Sequence, residues 1–135
     1  MSRLKTGLIV IGKPGSEHVS ITIIDRDSEG WLSGTLEARA GGWSGCWRAW
    51  FHRGELRQFA SEVERLDGDL IGPAQFAPME PYLELKLTGD GKGLIVVEGR
   101  AQDLMSAGTY LAFRLELDQT ELPTIAGALT AVDPL

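Results

Sequence analysis

Few residues in this sequence have the type and spacing that catalysis or metal binding requires. The chain has one cysteine and two histidines, so Cys46 has only His18 and His52 as candidate bases. Alternation along the chain places Cys46 in mid-strand opposite Glu37 and far from His52, and a neighbouring carboxylate disfavours the reactive thiolate. These three residues are also too few for a closed zinc site. We therefore predict no catalytic residue, no metal and no cofactor.

Two loops resemble ligand sites but lack a necessary part. Asp25 to Gly30 has carboxylates at alternate positions, as in a calcium loop, yet Leu36 stands where that loop needs a bidentate glutamate. Gly89 to Gly93 is rich in glycine but precedes a strand, and it lacks the following helix whose N-terminus would hold phosphate. Both segments are therefore predicted to be hairpin turns.

The clearest structural signal is Gly41-Gly42 between two alternating segments. A two-residue glycine loop predicts a tight hairpin, because both loop positions favour positive φ. The resulting register pairs Leu36 with Trp47 and gathers small and apolar residues on one face. Trp43 and Trp47 both fall on this apolar face, so we expect both of them in the core.

The opposite face of the hairpin carries candidate partner-binding residues. They are Trp31, Glu37, Arg48 and Trp50. Tryptophan and arginine are enriched at binding surfaces. Two interpretations are open: the tryptophans form an exposed site, or a helix or the 67–81 connection covers them.

The formal charge of −6 is concentrated in the second part of the chain. Residues 1–66 contain nine Lys/Arg and eight Asp/Glu, whereas residues 67–135 contain four and eleven. An acidic half argues against nucleic-acid binding, which needs clustered Lys and Arg. It would suit a basic protein partner, with Asp67, Asp69 and Glu80 as candidate contacts, although general solubility also explains the charge.

The longest apolar run near the start, Leu8 to Ile11, is too short for a secretion signal or a membrane span. We therefore expect a cytoplasmic protein that does not bind membranes. The sequence leaves homo-oligomerisation open.

Hydrophobic periodicity predicts an α+β fold, with residues 1–135 as a single domain. Strands are indicated at 18–24, 31–40, 43–51, 82–88, 94–97 and 109–117, and helices at 53–66 and from Thr120 onward. Residues 67–81 contain three prolines and no clear period, which indicates a long connection. The order β-β-β-α, connection, β-β-β-α implies an antiparallel sheet of about six to eight strands with two helices packed on it.

Segments 18–66 and 82–132 resemble pseudo-repeats with an offset of 66 residues. The apolar residues of one strand and of the helix after it recur at this offset, and Glu55 recurs as Glu121. The preceding hairpin strands match less well, since Leu32 aligns with Glu98. An internal duplication and a chance match of two strand-helix units are both open.

Several motifs, taken in order, resemble the WapI-like immunity proteins over about residues 30 to 132. They are Trp43-x-x-x-Trp47, Glu55-Leu56-x-x-Phe59 with Val63 and Leu66, Leu83-x-Leu85-x-Leu87-x-x-Asp90-Gly91, and Phe113-x-Leu115-x-Leu117-Asp118-Gln119-Thr120-x-Leu122. The resemblance implies a small cytoplasmic bacterial protein that binds and neutralises the C-terminal nuclease domain of a contact-delivered toxin. It offers no catalytic residue to transfer to this chain.

The leading hypothesis is therefore a non-enzymatic immunity protein whose acidic half meets a basic, cognate toxin domain. The alternative is a small-ligand or carbohydrate-binding module that uses Trp31 and Trp50 as a stacking platform. An uncharacterised structural subunit is the third interpretation. An enzyme is the least supported class, because no nucleophile, base and orienting group occur at a suitable spacing.

Overall fold

The computed structural model describes residues 7–13, 15–104 and 108–132, and within them the chain forms eight β-strands and two α-helices. The strands are β1 (Gly7–Gly12), β2 (His18–Arg26), β3 (Trp31–Ala40), β4 (Trp43–His52), β5 (Ile71–Phe76), β6 (Leu83–Asp90), β7 (Leu94–Gln102) and β8 (Tyr110–Asp118). The helices are α1 (Arg53–Asp69) and α2 (Leu122–Ala131), and a 3-10 turn at Gln119–Glu121 precedes α2.

The strands form two antiparallel four-stranded sheets. Sheet A has the order β1-β2-β3-β4 and sheet B has the order β5-β6-β7-β8. Strands that follow one another in the sequence are therefore neighbours in each sheet, and a helix follows each sheet. The predicted α+β class, the antiparallel pairing and the two helices are confirmed, while the strands divide into two sheets where the sequence suggested one.

The element order is β-β-β-β-α twice, one strand more in each half than the sequence predicted. The sequence did not predict β1, because its short run of consecutive apolar residues shows no alternation of apolar and polar side chains. β5 lies inside the segment 67–81, which was expected to be an irregular connection. Pro73 obscured β5, but proline is tolerated there because β5 is an edge strand and the missing N–H would face away from β6.

The β3-β4 hairpin has the predicted register, with Leu36 opposite Trp47. Gly41 has a φ of +59°, which explains the glycine at the first loop position. The expectation of positive φ at both loop positions was wrong for Gly42. The prediction for Trp43 was wrong, because its side chain is 71% exposed. Trp43 directly follows the turn, so it stands at the end of the sheet and not over its core.

α1 begins at a capping box. Nδ1 of His52 accepts the N–H of Gly54 at 3.1 Å, and the Glu55 carboxylate accepts the N–H of His52 at 2.9 Å. The helix continues to Asp69, past the predicted end. Leu70 then adopts a left-handed φ of +63° and closes the helix.

The second helical segment starts with the same device. The Asp118 carboxylate accepts the N–H of Thr120 at 2.9 Å, and Glu121 accepts the N–H of Asp118 at 3.2 Å. Pro123 lies in the first turn of α2, as predicted, where its missing N–H needs no partner.

One hydrophobic core contains residues from all eight strands and both helices. α1 packs against α2 and along β5, and α2 packs against β1. Each helix therefore covers the first strand of the sheet that it does not follow.

The two halves, residues 7–69 and 71–131, have corresponding elements. β4 corresponds to β8 at an offset of 66, so that Trp47 aligns with Phe113. Their cross-strand partners are Leu36 and Gly99, which differ by 63. The β7-β8 connection is longer than the β3-β4 loop, and this change of offset explains why the hairpin strands matched poorly in sequence. Internal duplication stays one of the two open interpretations.

Candidate partner-binding site

The outer face of the β3-β4 hairpin is open to solvent. Trp31 is 42% exposed and Trp50 is 39% exposed. Trp50 pairs with Ser33, two residues after Trp31, so both indoles leave the sheet on the side away from the core. Neither a helix nor the 67–81 segment buries them.

Neighbouring side chains hold these indoles in place. The Arg48 guanidinium lies 5.5 Å from the centre of the Trp50 ring, and the Tyr82 ring lies 5.8 Å from it. The Trp31 ring makes an edge contact with His52 at 5.3 Å. We call Trp31, Arg48, Trp50 and Tyr82 the aromatic patch. Its rings already have defined neighbours, which lowers the entropy lost on binding.

A hollow of about 180 Å³ adjoins the aromatic patch, with Asp25, Asp27, Trp31, Ser33 and Trp50 among its lining residues. The Asp27 carboxylate accepts the N–H of Trp31 at 2.9 Å, which confirms the predicted turn. Arg26 also lines the hollow, but its guanidinium donates to the carbonyl of Val132 at 2.7 Å. The two carboxylates and two indoles therefore suit a cationic side chain.

Sequence reasoning missed Tyr82, because it precedes the alternating leucines of β6 and has no pattern of its own. Its backbone carbonyl accepts Nε1–H of Trp47 at 3.0 Å. Burial raises the pKa of the Tyr82 hydroxyl, and the negative charges of Glu80 and Asp103 raise it further. The N–H of Tyr82 donates to the backbone carbonyl of Glu80 at 2.8 Å, so Glu80, one of the predicted acidic contacts, lies next to the Trp50–Tyr82 pair.

The other predicted acidic contacts, Asp67 and Asp69, lie elsewhere. They belong to the last turn of α1. Glu80 instead follows Met79, whose N–H donates at 2.7 Å to Glu55 in the first turn of α1. The rise of an α-helix puts about 18 Å between Glu55 and Asp67. The structure thus brings one of the three carboxylates to the aromatic patch and leaves two at the far end of α1.

Glu37 shares the face of the aromatic patch but lies at its opposite end, about 20 Å from Trp31 along β3. Its carboxylate is 2.9 Å from Nε2 of His18, a buried histidine whose Nδ1 lies 2.8 Å from the carbonyl of Ser16. Cys46 lies opposite Glu37, as predicted, and is an exposed free thiol.

Within the described ranges of the chain, no three or more His, Cys, Asp or Glu side chains cluster as metal ligands would. No helix in the same part of the chain is long and apolar enough to cross a membrane.

The outer face of sheet B has a different character. Lys86, Glu98 and Arg114 lie side by side across β6, β7 and β8, so charges of opposite sign alternate. Arg114 also contacts the Glu116 carboxylate at 2.8 Å. Such a charge-paired face is typical of a surface in contact with water. Sheet B has one exposed aromatic residue on this face, Tyr110, and the Arg100 guanidinium lies 3.9 Å from its ring. Sheet A has two exposed indoles on its outer face, so it is the better candidate for partner binding.

A family model described as the Immunity protein WapI-like family matches residues 10–132 of the chain. No curated protein matches this chain significantly.

Proposed function

We propose that this chain, which belongs to the WapI-like immunity protein family, binds a cognate nuclease toxin domain in the cytoplasm and neutralises it. Family membership supports an immunity role in general and a protein as the partner. We propose in addition that this partner is a nuclease, that binding takes place in the cytoplasm, and that the residues named below make the contact.

The aromatic patch is the observation that supports our choice of contact residues. Trp31 and Trp50 are large, exposed and held by neighbouring side chains. Binding energy at protein interfaces is concentrated in a few residues, among which tryptophan, tyrosine and arginine are enriched. We infer that Trp50, which contacts both Arg48 and Tyr82, is the central anchor.

The surroundings of the patch suit a basic partner. The hollow beside Trp31 and Trp50 offers the carboxylates of Asp25 and Asp27 to a lysine or arginine of the toxin domain. Glu80 adds negative charge near Tyr82. Nuclease domains that bind phosphate backbones carry clustered Lys and Arg, so the electrostatic fit would speed their encounter with this face.

The test is binding kinetics with the immobilised toxin domain encoded by the neighbouring gene. Trp50→Ala should raise the dissociation rate by about thirtyfold, which corresponds to about 2 kcal/mol. The matched control is Glu116→Ala, because residue 116 occupies in β8 the position that Trp50 occupies in β4. This control should bind like the unchanged protein.

Circular dichroism of both variants establishes that each has kept its fold. If the unchanged protein fails to bind at micromolar concentration, the immunity proposal is wrong. If the two variants bind equally well, the toxin contacts another surface and the role of the aromatic patch is wrong.

The structure gives less support to the alternative of a carbohydrate-binding module. A sugar would stack on an open indole face, but the Arg48 guanidinium lies over the Trp50 ring. The Trp31 ring also meets His52 at an angle of 88°. Glycan-array binding that disappears in Trp50→Ala, together with failure to bind the toxin domain, would reverse this preference.

A further inference from the structure

β4 is an edge strand of sheet A. In an antiparallel hairpin with a two-residue loop, the residues that flank the loop are hydrogen-bonded, and bonded pairs then alternate along the strands. Ala40 pairs with Trp43. The backbone N–H and C=O groups of Ser44, Cys46 and Arg48 therefore point away from β3.

This outward edge has no partner strand in the part of the chain that the structure describes. His52 belongs to the same outward series, and its N–H is satisfied by Glu55 at 2.9 Å. No such side chain reaches the N–H groups of Ser44, Cys46 or Arg48 among the described residues.

Among the described residues, other edges have protecting contacts that residues 44–48 of β4 do not have. On β5, the N–H of Gln75 donates to Glu62 of α1 at 2.9 Å, and Arg65 of α1 donates to the carbonyl of Pro73. On β8, the exposed positions carry the ion pair of Arg114 and Glu116. The charged residue in the corresponding stretch of β4 is Arg48, and its guanidinium lies over the Trp50 ring. Charged side chains and covering helices are the usual means of preventing strand addition.

An apolar groove of about 420 Å³ runs beside the unprotected part of β4. Trp43 and Trp47 lie on the β4 side, and Ala101, Tyr110 and Leu111 lie on the sheet B side. Trp43 is 71% exposed, so one large aromatic wall of the groove stands open to water, whereas the Tyr110 ring lies 3.9 Å from the Arg100 guanidinium. The groove and the free backbone groups border the same stretch of β4.

We propose that an extended strand of the toxin domain pairs with the outward edge of β4 at residues 44–48 and adds a fifth strand to sheet A. Outward N–H and C=O groups at alternate residues match the hydrogen-bonding pattern of a second extended strand. Every second side chain of the added strand enters the groove and is apolar, while the others lie on the face that carries Arg48. This inference rests on the proposed function, and it locates the interface.

The first measurement is amide hydrogen exchange of the free protein. The N–H groups of Ser44, Cys46 and Arg48 should exchange fast, whereas those of Gly45 and Trp47 should be protected by β3. Slow exchange at all five positions would overturn the inference, because the edge would then already be covered.

The second measurement compares Cys46→Pro with Cys46→Ala in binding to the toxin domain of the neighbouring gene. Proline removes the outward N–H without breaking a bond to β3, and edge strands tolerate it. Alanine keeps that N–H. Cys46→Pro should weaken binding by about tenfold or more, whereas Cys46→Ala should bind normally.

Amide exchange of the unchanged protein in the complex gives an answer that does not depend on the folding of a variant. Protection gained at Ser44, Cys46 and Arg48 supports strand addition. Tight binding without this protection overturns the inference and leaves the immunity function standing. Absence of any binding overturns both, since the toxin domain is the occupant that the inference names.

Discussion

The two halves of the molecule share a scaffold but differ at the surface. Each half is a four-stranded meander followed by a capped helical segment. All four tryptophans lie in the first half. On the outer face of sheet B, charges of opposite sign lie side by side. The common scaffold constrains the buried faces, and the difference between the outer faces supports our proposal that the partner binds sheet A.

The halves also differ in the buried pair at the centre of the hairpin. Leu36 faces Trp47 in sheet A, whereas Gly99 faces Phe113 in sheet B. A Cβ at Gly99 would lie 2.3 Å from the Phe113 ring, which occupies that space. The same scaffold therefore fills equivalent positions with two side chains in one sheet and with one in the other.

The largest expected effect is a loss of stability when the buried Leu36–Trp47 pair of sheet A loses one side chain. Leu36 is fully buried, so Leu36→Ala should cost about 2–5 kcal/mol of unfolding free energy through lost burial and a cavity. Urea unfolding measures this cost. Thr35→Ala, on the outer face of the same strand, is the control and should cost less than about 1 kcal/mol. Equal costs at both positions would contradict the assignment of the two faces.

The second expected effect concerns Gly34. A Cβ there would lie 2.1 Å from the carbonyl oxygen of Thr22, next to the register shift between Ile23 and Asp25 of β2. The equivalent position in sheet B is Val97, whose side chain is fully buried in the core. Gly34→Ala should therefore destabilise the protein by about 1–3 kcal/mol, since backbone and not a side chain must move.

Gly45→Ala is the control for this substitution, because no atom lies within 4 Å of its added Cβ. It should leave the free energy of unfolding nearly unchanged. If Gly34→Ala were equally neutral, β2 and β3 would not approach as closely as the structure shows.

Local patterns predicted the parts of the fold that local interactions determine. The Gly41-Gly42 turn and the alternation around it specify the β3-β4 register, and Pro123 marks the first turn of α2. β5 was missed because Pro73 is acceptable only on an edge strand, and whether a strand is an edge depends on the whole sheet.

The candidate site was predicted only in part, because some of its contacts depend on the whole fold and not on a local pattern. The alternation of β3 and β4 placed Trp31 and Trp50 on one face. The nearness of Tyr82 and Glu80 to Trp50, and the distance of Asp67, depend on how sheet B and α1 pack against the hairpin. Contacts between residues far apart in the sequence leave no periodic signal in either segment.

The third prediction separates the acidic residues by position. Glu80→Lys and Asp69→Lys change the charge equally at exposed residues. Glu80 is near the aromatic patch and Asp69 is at the far end of α1. A Debye length of about 10 Å at 0.1 M salt screens the distant charge. Glu80→Lys should slow association with the toxin domain several-fold, and Asp69→Lys should change it little.

Association rates at low and high salt test this difference. The effect of Glu80→Lys should shrink as salt is added, because screening weakens interactions between exposed charges. If Asp69→Lys slows association more than Glu80→Lys, the toxin domain approaches the end of α1 and not the aromatic patch.

The smallest expected effect concerns the helix caps, where the halves use different residues for one task. His52 caps α1, whereas the Asp118 carboxylate caps the second helical segment. The N–H of Thr120, and then its side chain, hold the pKa of Asp118 below its ordinary value of 3.8. A carboxylate whose pKa is lower in the folded state stabilises that state above the unfolded pKa. This contribution is lost as the pH falls through the lower, folded pKa.

The variant Asp118→Asn isolates this contribution, because asparagine also caps helices but does not titrate. The difference in unfolding free energy between the unchanged protein and Asp118→Asn should be constant well above pH 3.8, and it should fall as the pH drops below 3.8 toward the lower, folded pKa. Urea unfolding across this range measures it. Asp118→Ala, which lacks any cap, should be less stable than Asp118→Asn at every pH. A difference that stayed constant down to pH 2 would show that the carboxylate charge does not contribute, and the two caps would then be equivalent in spite of their different chemistry.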